Sequence, residues 1–320
     1  MASTFLGHPF LLASLALLVL ALPPLAHVAY TAWVRRRFPL AGESFVHAGA
    51  RVHYTRTGAG PAVVLVHGAN GTRSDFPPEL LAELARDHTV LALDRPGHGW
   101  SEATAGPLGM HENAAAVLAL LRAQHATGAT LVGHSYGAAV ALRAALEAPE
   151  LVRHVVAVAP CTAIDSRNAR YANAPLAGAP AGLALFHFAA LPLVPFGLPL
   201  RAQAWHPERA PRGWGASRAF AYVPSQMHAS ARNFRALRAD LAWLEAHLPQ
   251  LQARLTVLAG EYDRVTPPAR HVDWLKRVLP SAHIEVMPRV GHWLPRLRPD
   301  AVAQAVRANG SPQAPGPGVR

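Results

Sequence analysis

One segment organises this chain: Leu131-Val132-Gly133-His134-Ser135-Tyr136-Gly137-Ala138-Ala139-Val140. The apolar residues before Gly133 are typical of a buried strand, and the Ala- and Leu-rich run from Tyr136 to Glu147 contains no proline and predicts a helix. We expect glycine on both sides of Ser135, because the strand and helix backbones approach so closely at this turn that a Cβ would clash. The segment therefore predicts a strand, a sharp turn and a helix, with the hydroxyl of Ser135 at the apex.

A serine at such a turn is a candidate nucleophile. Its backbone is expected to be strained, its hydroxyl exposed, and the positive end of the following helix favours negative charge beside it. The pattern Gly-x-Ser-x-Gly also occurs in ordinary turns, so the strand before it and the helix after it make the prediction specific.

The composition restricts the class of protein. The chain has 320 residues, 51 % of them hydrophobic and 15 % charged, which is enough for one large core with an insertion or for two small domains. The single cysteine, Cys161, excludes an internal disulfide and is typical of a small core residue. The net charge of +11 raises the question of nucleic-acid binding. We expect no such partner, because the chain lacks zinc-ligand spacing, an aromatic RNA-binding motif and a basic helix-turn-helix.

An uncharged apolar segment runs from Phe10 to Val34 and is followed by three consecutive arginines, Arg35, Arg36 and Arg37. Its length suffices to cross a bilayer, and we predict an uncleaved N-terminal membrane anchor over residues 1–37. A signal peptide is the alternative, since Pro23-Pro24 divides the run. Because no Lys or Arg precedes the segment, the three arginines predict that the domain after it is cytoplasmic.

Strand and helix patterns alternate from Ser44 onward. Strands are predicted at residues 44–47, 52–56, 62–67, 89–93, 130–133, 154–159, 255–259 and 283–287. Helices are predicted at residues 78–86, 112–125, 136–147, 268–279 and 299–307. This order predicts an α/β fold with a mostly parallel eight-stranded sheet, an antiparallel start and helices on both faces.

The alternation is interrupted at residues 161–251, where helical segments broken by proline replace the strands. We predict a helical cap, or lid, inserted between two parts of the core, residues 44–160 and 252–307. The apolar run at 182–200 could be a second membrane span, but Pro192, Pro195 and Pro199 oppose a continuous helix. We therefore expect it to line an apolar substrate pocket, through Phe186, Phe188, Leu191 and Phe196. Residues 308–320 predict a disordered tail.

A serine nucleophile requires a base, and the base requires a carboxylate to orient it. Asp263 lies in the loop after a clear strand, and His292 follows the last strand. We predict that His292 is the base and that Asp263 orients it. Asp263 could instead cap a turn, and Glu261 or Asp165 could then take its place.

Acyl transfer also requires two backbone donors for the developing oxyanion. The N–H of Tyr136, directly after the candidate nucleophile, is one prediction, and the N–H of Ala69 in the loop after an early strand is the other. We expect His67 to hold that loop in place. The loop at 94–101, Asp-Arg-Pro-Gly-His-Gly-Trp-Ser, is expected to be a rigid structural element.

Five motifs, in this order, resemble the α/β-hydrolase fold family over residues 44–307: His-Gly at 67–68, the loop at 94–101, Gly-His-Ser-Tyr-Gly at 133–137, the Asp263 loop and Gly-His at 291–292. The resemblance implies that fold, a catalytic triad of Ser135, Asp263 and His292, and no metal or cofactor. Relatives that open epoxides or remove halide carry an aspartate nucleophile, so Ser135 argues against those activities. Tyr136 and Ala138 depart from the frequent Gly-x-Ser-Met-Gly-Gly form, which leaves the substrate open.

The resulting expectation is a membrane-anchored serine hydrolase that cleaves an apolar or lipid-like carboxylic ester through an acyl-enzyme. The alternatives are a haloperoxidase-like perhydrolase, a carbon-carbon bond hydrolase, or a ligand-binding protein that has kept the fold without the chemistry. Between residues 161 and 240 nine arginines face three acidic residues. They are either a solvated surface or a basic cap face that lies against an anionic membrane, for which Arg209, Arg212 and Arg218 are the test positions.

Overall fold

The computed structural model describes residues 25–163 and 215–308. Its strands are β1 Glu43–His47, β2 Ala50–Thr57, β3 Ala62–Val66, β4 Thr89–Leu93, β5 Ala129–His134, β6 Val152–Val158, β7 Arg254–Gly260 and β8 His283–Met287. They form one eight-stranded sheet in the order β1-β2-β4-β3-β5-β6-β7-β8.

The described helices lie between and after these strands. They are α1 at residues 25–37, α2 Pro78–Leu84, α3 Met110–Ala123, α4 Tyr136–Glu147, α5 Gly215–Phe220, α6 Pro224–His247, α7 Pro268–Val278, α8 Leu294–Leu297 and α9 Pro299–Arg307. Short 3-10 turns occur at Arg73–Asp75 and Leu248–Gln250.

The prediction of a mostly parallel sheet with an antiparallel start is confirmed. β1 pairs antiparallel with β2, and β2 pairs antiparallel with β4. Every pairing from β4 through β3, β5, β6 and β7 to β8 is parallel. Because the carboxyl ends of parallel strands share one edge, the loops after β3, β5, β7 and β8 meet there.

The sheet separates two apolar layers, and alternate residues of each central strand face opposite layers. In β5, Leu131 belongs to the layer that includes α3, α4 and α6, whereas Val132 belongs to the layer that includes α2 and α9. Cys161 is buried in the first of these layers, as predicted. Both faces of the sheet are thus covered, which explains the unbroken apolar runs of its central strands.

Contacts distant in sequence set the start of α3. The helix begins at Met110, before the predicted residue 112. The N–H of Gly109 donates to the Glu112 carboxylate at 2.7 Å, and the N–H of Met110 donates to Asp240 at 2.8 Å. Asp240 belongs to α6, so this end of α3 is fixed by a partner that the local pattern does not contain.

In the predicted cap, the regular secondary structure of the described residues 161–163 and 215–251 is helical. α6 has 24 residues and packs on the core layer beside α3 and α4 through Leu237, Leu241 and Leu244. The assignment of residues 161–251 to a separate cap stays a prediction.

The helix α1 contains the last residues of the predicted anchor and packs on the globular part of the chain. Val34 is fully buried with Ala219, Phe220 and Val223, and the hydroxyl of Tyr30 donates to the Ala219 carbonyl at 2.9 Å. The predicted span from Phe10 to Val34 is therefore wrong at its C-terminal end, because Tyr30 and Val34 contact protein. Among the described residues, no helix has the length and apolar character that a bilayer span requires. The predicted anchor before residue 25 lies outside the described residues, as does the tail after residue 308.

Candidate active site

The turn at Ser135 joins β5 to α4 in an unusual backbone conformation. Ser135 has φ +54° and ψ −118°, which few residues other than glycine adopt. A Cβ on Gly133 would lie 2.4 Å from the carbonyl oxygen of Gly137, and one on Gly137 would lie 2.2 Å from that of Val66. Both glycines are therefore required by close backbone contacts, as predicted.

Asp263 and His292 form a buried pair at the same edge of the sheet. Nδ1 of His292 lies 2.8 Å from Oδ2 of Asp263, and each residue is 4 % exposed. Since a carboxylate accepts, Nδ1 carries the proton and Nε2 is left as the basic nitrogen. The structure thus brings together the two residues that the sequence predicted as a pair.

The turn at residues 263–266 holds the carboxylate of Asp263 through its own hydrogen bonds. Oδ1 accepts from the N–H groups of Val265 and Thr266 at 2.8 and 2.9 Å, and Oδ2 accepts from the Thr266 hydroxyl at 2.8 Å. Burial alone would raise the pKa of Asp263, but the neighbouring His292 and these hydrogen bonds lower it to about 2. Asp263 is therefore a carboxylate at neutral pH.

Glu261, one of the two alternatives to Asp263, does not take this place. Glu261 points to the surface, where it accepts from the N–H of Arg289 at 2.9 Å. Asp165 lies outside the described residues.

His134 connects the Ser135 turn to the His292 loop. Its Nε2 lies 2.9 Å from the carbonyl oxygen of His292, and the two imidazole rings are 4.9 Å apart between centroids. Burial, together with the nearby His292, lowers the pKa of His134 to about 3, so the ring is neutral and Nε2–H donates. This hydrogen bond holds the backbone of His292 beside the residue that precedes Ser135.

The predicted oxyanion donors lie on either side of Ser135. Tyr136 is the first residue of α4, and the loop that carries Ala69 passes so close that a Cβ on Gly68 would be 3.2 Å from Cβ of Ser135. Within the described part of the chain, neither the N–H of Ala69 nor that of Tyr136 donates to an acceptor. Two unused backbone donors therefore flank the serine, and their catalytic role stays a prediction.

The loop after β3 is held by its own histidine, as predicted for His67. Nδ1 of His67 donates to the Gly68 carbonyl at 2.9 Å, and Nε2 accepts from the Arg95 N–H at 3.0 Å. Burial lowers the pKa of His67 well below its usual value, so the ring stays neutral. Both ring nitrogens are therefore hydrogen-bonded, one within the loop after β3 and the other to the loop at 94–101.

The loop at 94–101 is held by several buried hydrogen bonds, which fits the predicted structural role. The Asp94 carboxylate accepts from His53 at 2.9 Å and from the N–H of Arg73 at 2.8 Å, and the Ser101 hydroxyl donates to its carbonyl at 2.6 Å. Gly99 has a positive φ, and a Cβ there would meet the Asp94 carboxylate at 2.4 Å.

We call residues 67–75 the oxyanion loop. Side chains of α5 and α6 form hydrogen bonds with its second part, from Asn70 to Asp75. The Gln226 amide donates to the Asn70 carbonyl at 2.9 Å, and the Ser230 hydroxyl donates to the Asn70 side chain at 3.1 Å. The Ser217 hydroxyl, on α5, donates to Asp75 at 2.5 Å. Side chains of α5 and α6 thus hold the oxyanion loop in place through hydrogen bonds.

The predicted substrate-binding residues, Phe186, Phe188, Leu191 and Phe196, lie outside the described residues. In the part of the chain that the structure describes, no three His, Cys, Asp or Glu side chains are grouped as metal ligands.

The sequence analysis missed three residues that hold the site together, Thr266, His134 and Arg95. Thr266 was identifiable in principle, because a hydroxyl residue three positions after an aspartate is typical of a turn closed by the carboxylate. His134 lies inside the central motif without a signal of its own. Arg95, described below, also had none.

Comparisons with known proteins agree with this geometry. A segment of the chain is 36 % identical over 124 residues to the dihydrolipoyllysine-residue acetyltransferase component of the acetoin cleaving system of Cupriavidus necator, covering 38 % of this chain and 33 % of that protein. The matches span about a third to two fifths of the length of the first curated relatives. A longer match is 32 % identical over 250 residues, covering 75 % of this chain and 89 % of a Variovorax paradoxus protein named "Putative carbamate hydrolase RutD".

Among solved structures, a hydrolase from Pseudomonas aeruginosa PA01 superposes with a TM-score of 0.69 at 25 % identity, over 85 % of this chain and 100 % of that one. The model of the alpha/beta hydrolase family matches residues 63–305, a range that begins in β3 and contains the Ser135 turn, the Asp263 loop and His292. With its sheet order, its strained serine turn and this match, the chain belongs to the α/β-hydrolase family.

Proposed function

We propose that this protein is a serine hydrolase that cleaves a carboxylic ester through an acyl-enzyme intermediate. One observation carries the proposal: the buried Asp263–His292 pair shares a sheet edge with the strained turn of Ser135. A carboxylate, an imidazole with its Nε2 unprotonated and a serine at a sharp turn are the parts that acyl transfer needs.

In this mechanism Oγ of Ser135 attacks the ester carbonyl while Nε2 of His292 takes its proton. Asp263 stabilises the imidazolium, and the N–H groups of Ala69 and Tyr136 hold the oxyanion. The leaving alcohol takes the proton from His292. Water then attacks the acyl-enzyme with His292 as base, which releases the carboxylic acid and restores Ser135.

Labelling with a fluorophosphonate tests the nucleophile. We expect wild-type protein to be labelled and Ser135→Ala to be neither labelled nor active, with an unchanged circular dichroism spectrum. Ser281→Ala, at an exposed serine, is the matched control and should behave as wild type. Equal labelling of wild type and Ser135→Ala would contradict the proposal.

The substrate class is proposed to be an ester with an apolar or lipid-like group, as the apolar run at 182–200 suggested. A carbamate is the second candidate, supported by the relative from Variovorax paradoxus. p-Nitrophenyl esters of rising chain length, a p-nitrophenyl carbamate, a vinylogous diketone and peroxide-dependent halogenation separate ester, carbamate, carbon-carbon and perhydrolase activities. Saturable binding without turnover of any of these would favour a ligand-binding protein.

We further propose that the chain is anchored in a membrane by the apolar run that begins at Phe10. Because His27 is buried and Tyr30 and Val34 contact protein, the embedded part must end before His27. Residues 10–26 still provide 17 positions, and a membrane helix needs about 17–25. The arginines after Val34 support a cytoplasmic domain. A reporter fused to the C-terminus checks this orientation, and a periplasmic signal would contradict it.

We also propose that a basic face of the cap lies against an anionic membrane. Arg232 donates to the carbonyls of Thr104 and Gly106, so its guanidinium keeps its charge but is held against the chain. Arg209 and Arg212 lie outside the described residues. Neutralising Arg209, Arg212 and Arg218 together should weaken binding to anionic vesicles at low salt without changing hydrolysis of a short ester. Equal binding to neutral and anionic vesicles would remove this part.

A further inference from the structure

A buried guanidinium lies against the oxyanion loop. Arg95, the residue after Asp94, is fully inaccessible to solvent. Its Nε donates to the carbonyl of His67 at 3.1 Å, and one Nη donates to the carbonyl of Gly68 at 2.9 Å. The other Nη donates to the side-chain oxygens of Asn113 and Asn233, at 2.8 Å each. The guanidinium thus grips two successive peptides of the loop that carries Ala69.

All four acceptors of this guanidinium are neutral. In the described part of the chain no carboxylate is hydrogen-bonded to Arg95, although a buried cation ordinarily has such a partner. Burial lowers the pKa of Arg95 to about 10, against the influence of Tyr136 and Asp75, so the side chain remains charged at pH 7. The interior therefore holds a positive charge that no hydrogen-bonded anion balances.

The orientation of one peptide connects this charge to the serine. In a trans peptide the C=O and the N–H point in opposite directions, and the described chain has no cis peptide. The Gly68 carbonyl points to Arg95 and His67, so the N–H of Ala69, on the same peptide, points away from them. That N–H has no acceptor in the described part of the chain. Gly68 itself packs on Ser135.

Arg95 also lies against the second predicted donor. Its guanidinium carbon is 5.0 Å from the centre of the Tyr136 ring, whose backbone N–H is the other candidate donor. Asn233, on α6, also accepts from the guanidinium and itself donates to the Leu108 carbonyl. With the loop at 67–68, Asn113 and Tyr136, groups from four separate parts of the chain thus fix the charge in place.

We propose that Arg95 is a positioning residue for the oxyanion site, an inference that rests on the proposed serine hydrolase function. It fixes the Gly68–Ala69 peptide so that the Ala69 N–H faces the reacting carbonyl, and it polarises that N–H through the hydrogen bond to the Gly68 oxygen. Its charge, which no hydrogen-bonded anion balances in the resting protein, gains a partner when the oxyanion forms.

The first test separates this role from a purely structural one by comparing kcat with KM. For Arg95→Met we expect kcat on a p-nitrophenyl ester to fall by about 10²-fold, as for loss of an oxyanion donor. KM should stay within about threefold, because the ground-state ester carries no oxyanion. Affinity for a boronic acid inhibitor should fall in parallel with kcat, and Arg95→Lys should restore part of both.

A second variant keeps the shape of the site and changes its charge, although it also removes the hydrogen bond that the Asn233 amide donates to the Leu108 carbonyl. Asn233→Asp places a carboxylate oxygen where the amide oxygen now accepts from Arg95, so the buried cation gains an anionic partner. We expect kcat to fall by at least about tenfold with KM little changed. This variant decides the question if Arg95→Met does not fold.

Arg143→Met is the matched control. Arg143 is also a mostly buried arginine packed on an aromatic ring, that of Trp243, but it is paired with Glu147 and lies outside the site. Its loss should lower the melting temperature and leave kcat and KM unchanged. Wild-type kcat in folded Arg95→Met or Asn233→Asp would overturn the role of Arg95. Absence of hydrolysis and labelling in wild type would instead overturn the proposed function.

Discussion

The ionisation of Asp263 is controlled by the electrostatic attraction of His292 and by four hydrogen bonds to its carboxylate, three from Val265 and Thr266 and one from His292. All of these favour the charged form, and together they outweigh a burial that would favour the neutral one. The folded pKa of about 2 lies below that of the unfolded chain, about 3.9. Asp263 therefore stabilises the fold above pH 4, and this contribution is lost as the pH falls toward 2.

Asp263→Asn isolates this effect. Between pH 5 and pH 2 the free energy of unfolding of wild type should fall by about 2 kcal/mol more than that of the variant, because only wild type takes up this proton. Urea denaturation at several pH values measures both. At neutral pH the variant should also lose activity by about 10⁴-fold, since His292 loses the group that orients it. Parallel stability curves would mean that Asp263 is not held as a carboxylate.

At the scale of elements, the last turn of α1 packs on the rest of the domain. Val34 is fully buried, whereas Val28, on the same helix, is 69 % exposed. Val34→Ala should therefore lower the free energy of unfolding by about 2 kcal/mol, from two lost methyl groups and the space they leave. Val28→Ala, the matched control, should change it by less than about 0.5 kcal/mol. Thermal or urea unfolding of the full chain measures both, and equal effects would mean that α1 is not docked.

The element boundaries show what the sequence could predict. The strands at 89–93 and 283–287 and the helices at 136–147 and 299–307 were predicted to the residue, because apolar periodicity, proline and glycine mark their ends locally. The start of α3 and the docking of α1 were missed. The start of α3 depends on Asp240 in α6 as well as on the local Glu112, and the docking of α1 depends on residues in and just after α5. These distant partners lie more than a hundred residues away, and no local pattern contains them.

At the scale of the whole molecule, the described residues include four buried imidazoles whose pKa is lowered, so that they are neutral in the folded state. Burial lowers the pKa of each of them: to about 3 for His134, to about 4 for His154, and well below the usual value for His67 and His98. In the unfolded chain each should titrate near 6.5. Below that pH the unfolded state binds protons that the folded state does not, so stability falls as the pH falls.

Urea denaturation at pH 6.5 and 5.5 tests this sum. Four such imidazoles predict a loss of about 4 kcal/mol over this interval. His154→Gln is informative because His154 contacts Thr256 and lies away from the serine turn, and it should remove about a quarter of the loss. A flat stability profile would show that these rings are not neutral in the folded state.

The candidate site was less predictable than the fold. Ser135, Asp263 and His292 follow strands at one edge of a parallel sheet, so their meeting place follows from topology. The groups that hold them do not. His134 on the His292 carbonyl and Arg95 on the Gly68 carbonyl are side-chain to backbone contacts, and their partners are set by loop paths that side-chain type does not encode.

The hydrogen bonds from α5 and α6 to the oxyanion loop have a consequence for how this protein could be recombined with its relatives. Ser217, Gln226, Ser230 and Asn233 all reach atoms of that loop or of Arg95. A chimaera that receives residues 215–247 from another member of the family without these four side chains would leave buried polar groups unpaired, at about 1–3 kcal/mol each. The helices α5 and α6 and the oxyanion loop should therefore come from the same parent protein. An exchange of only the segment between β6 and β7 would separate them.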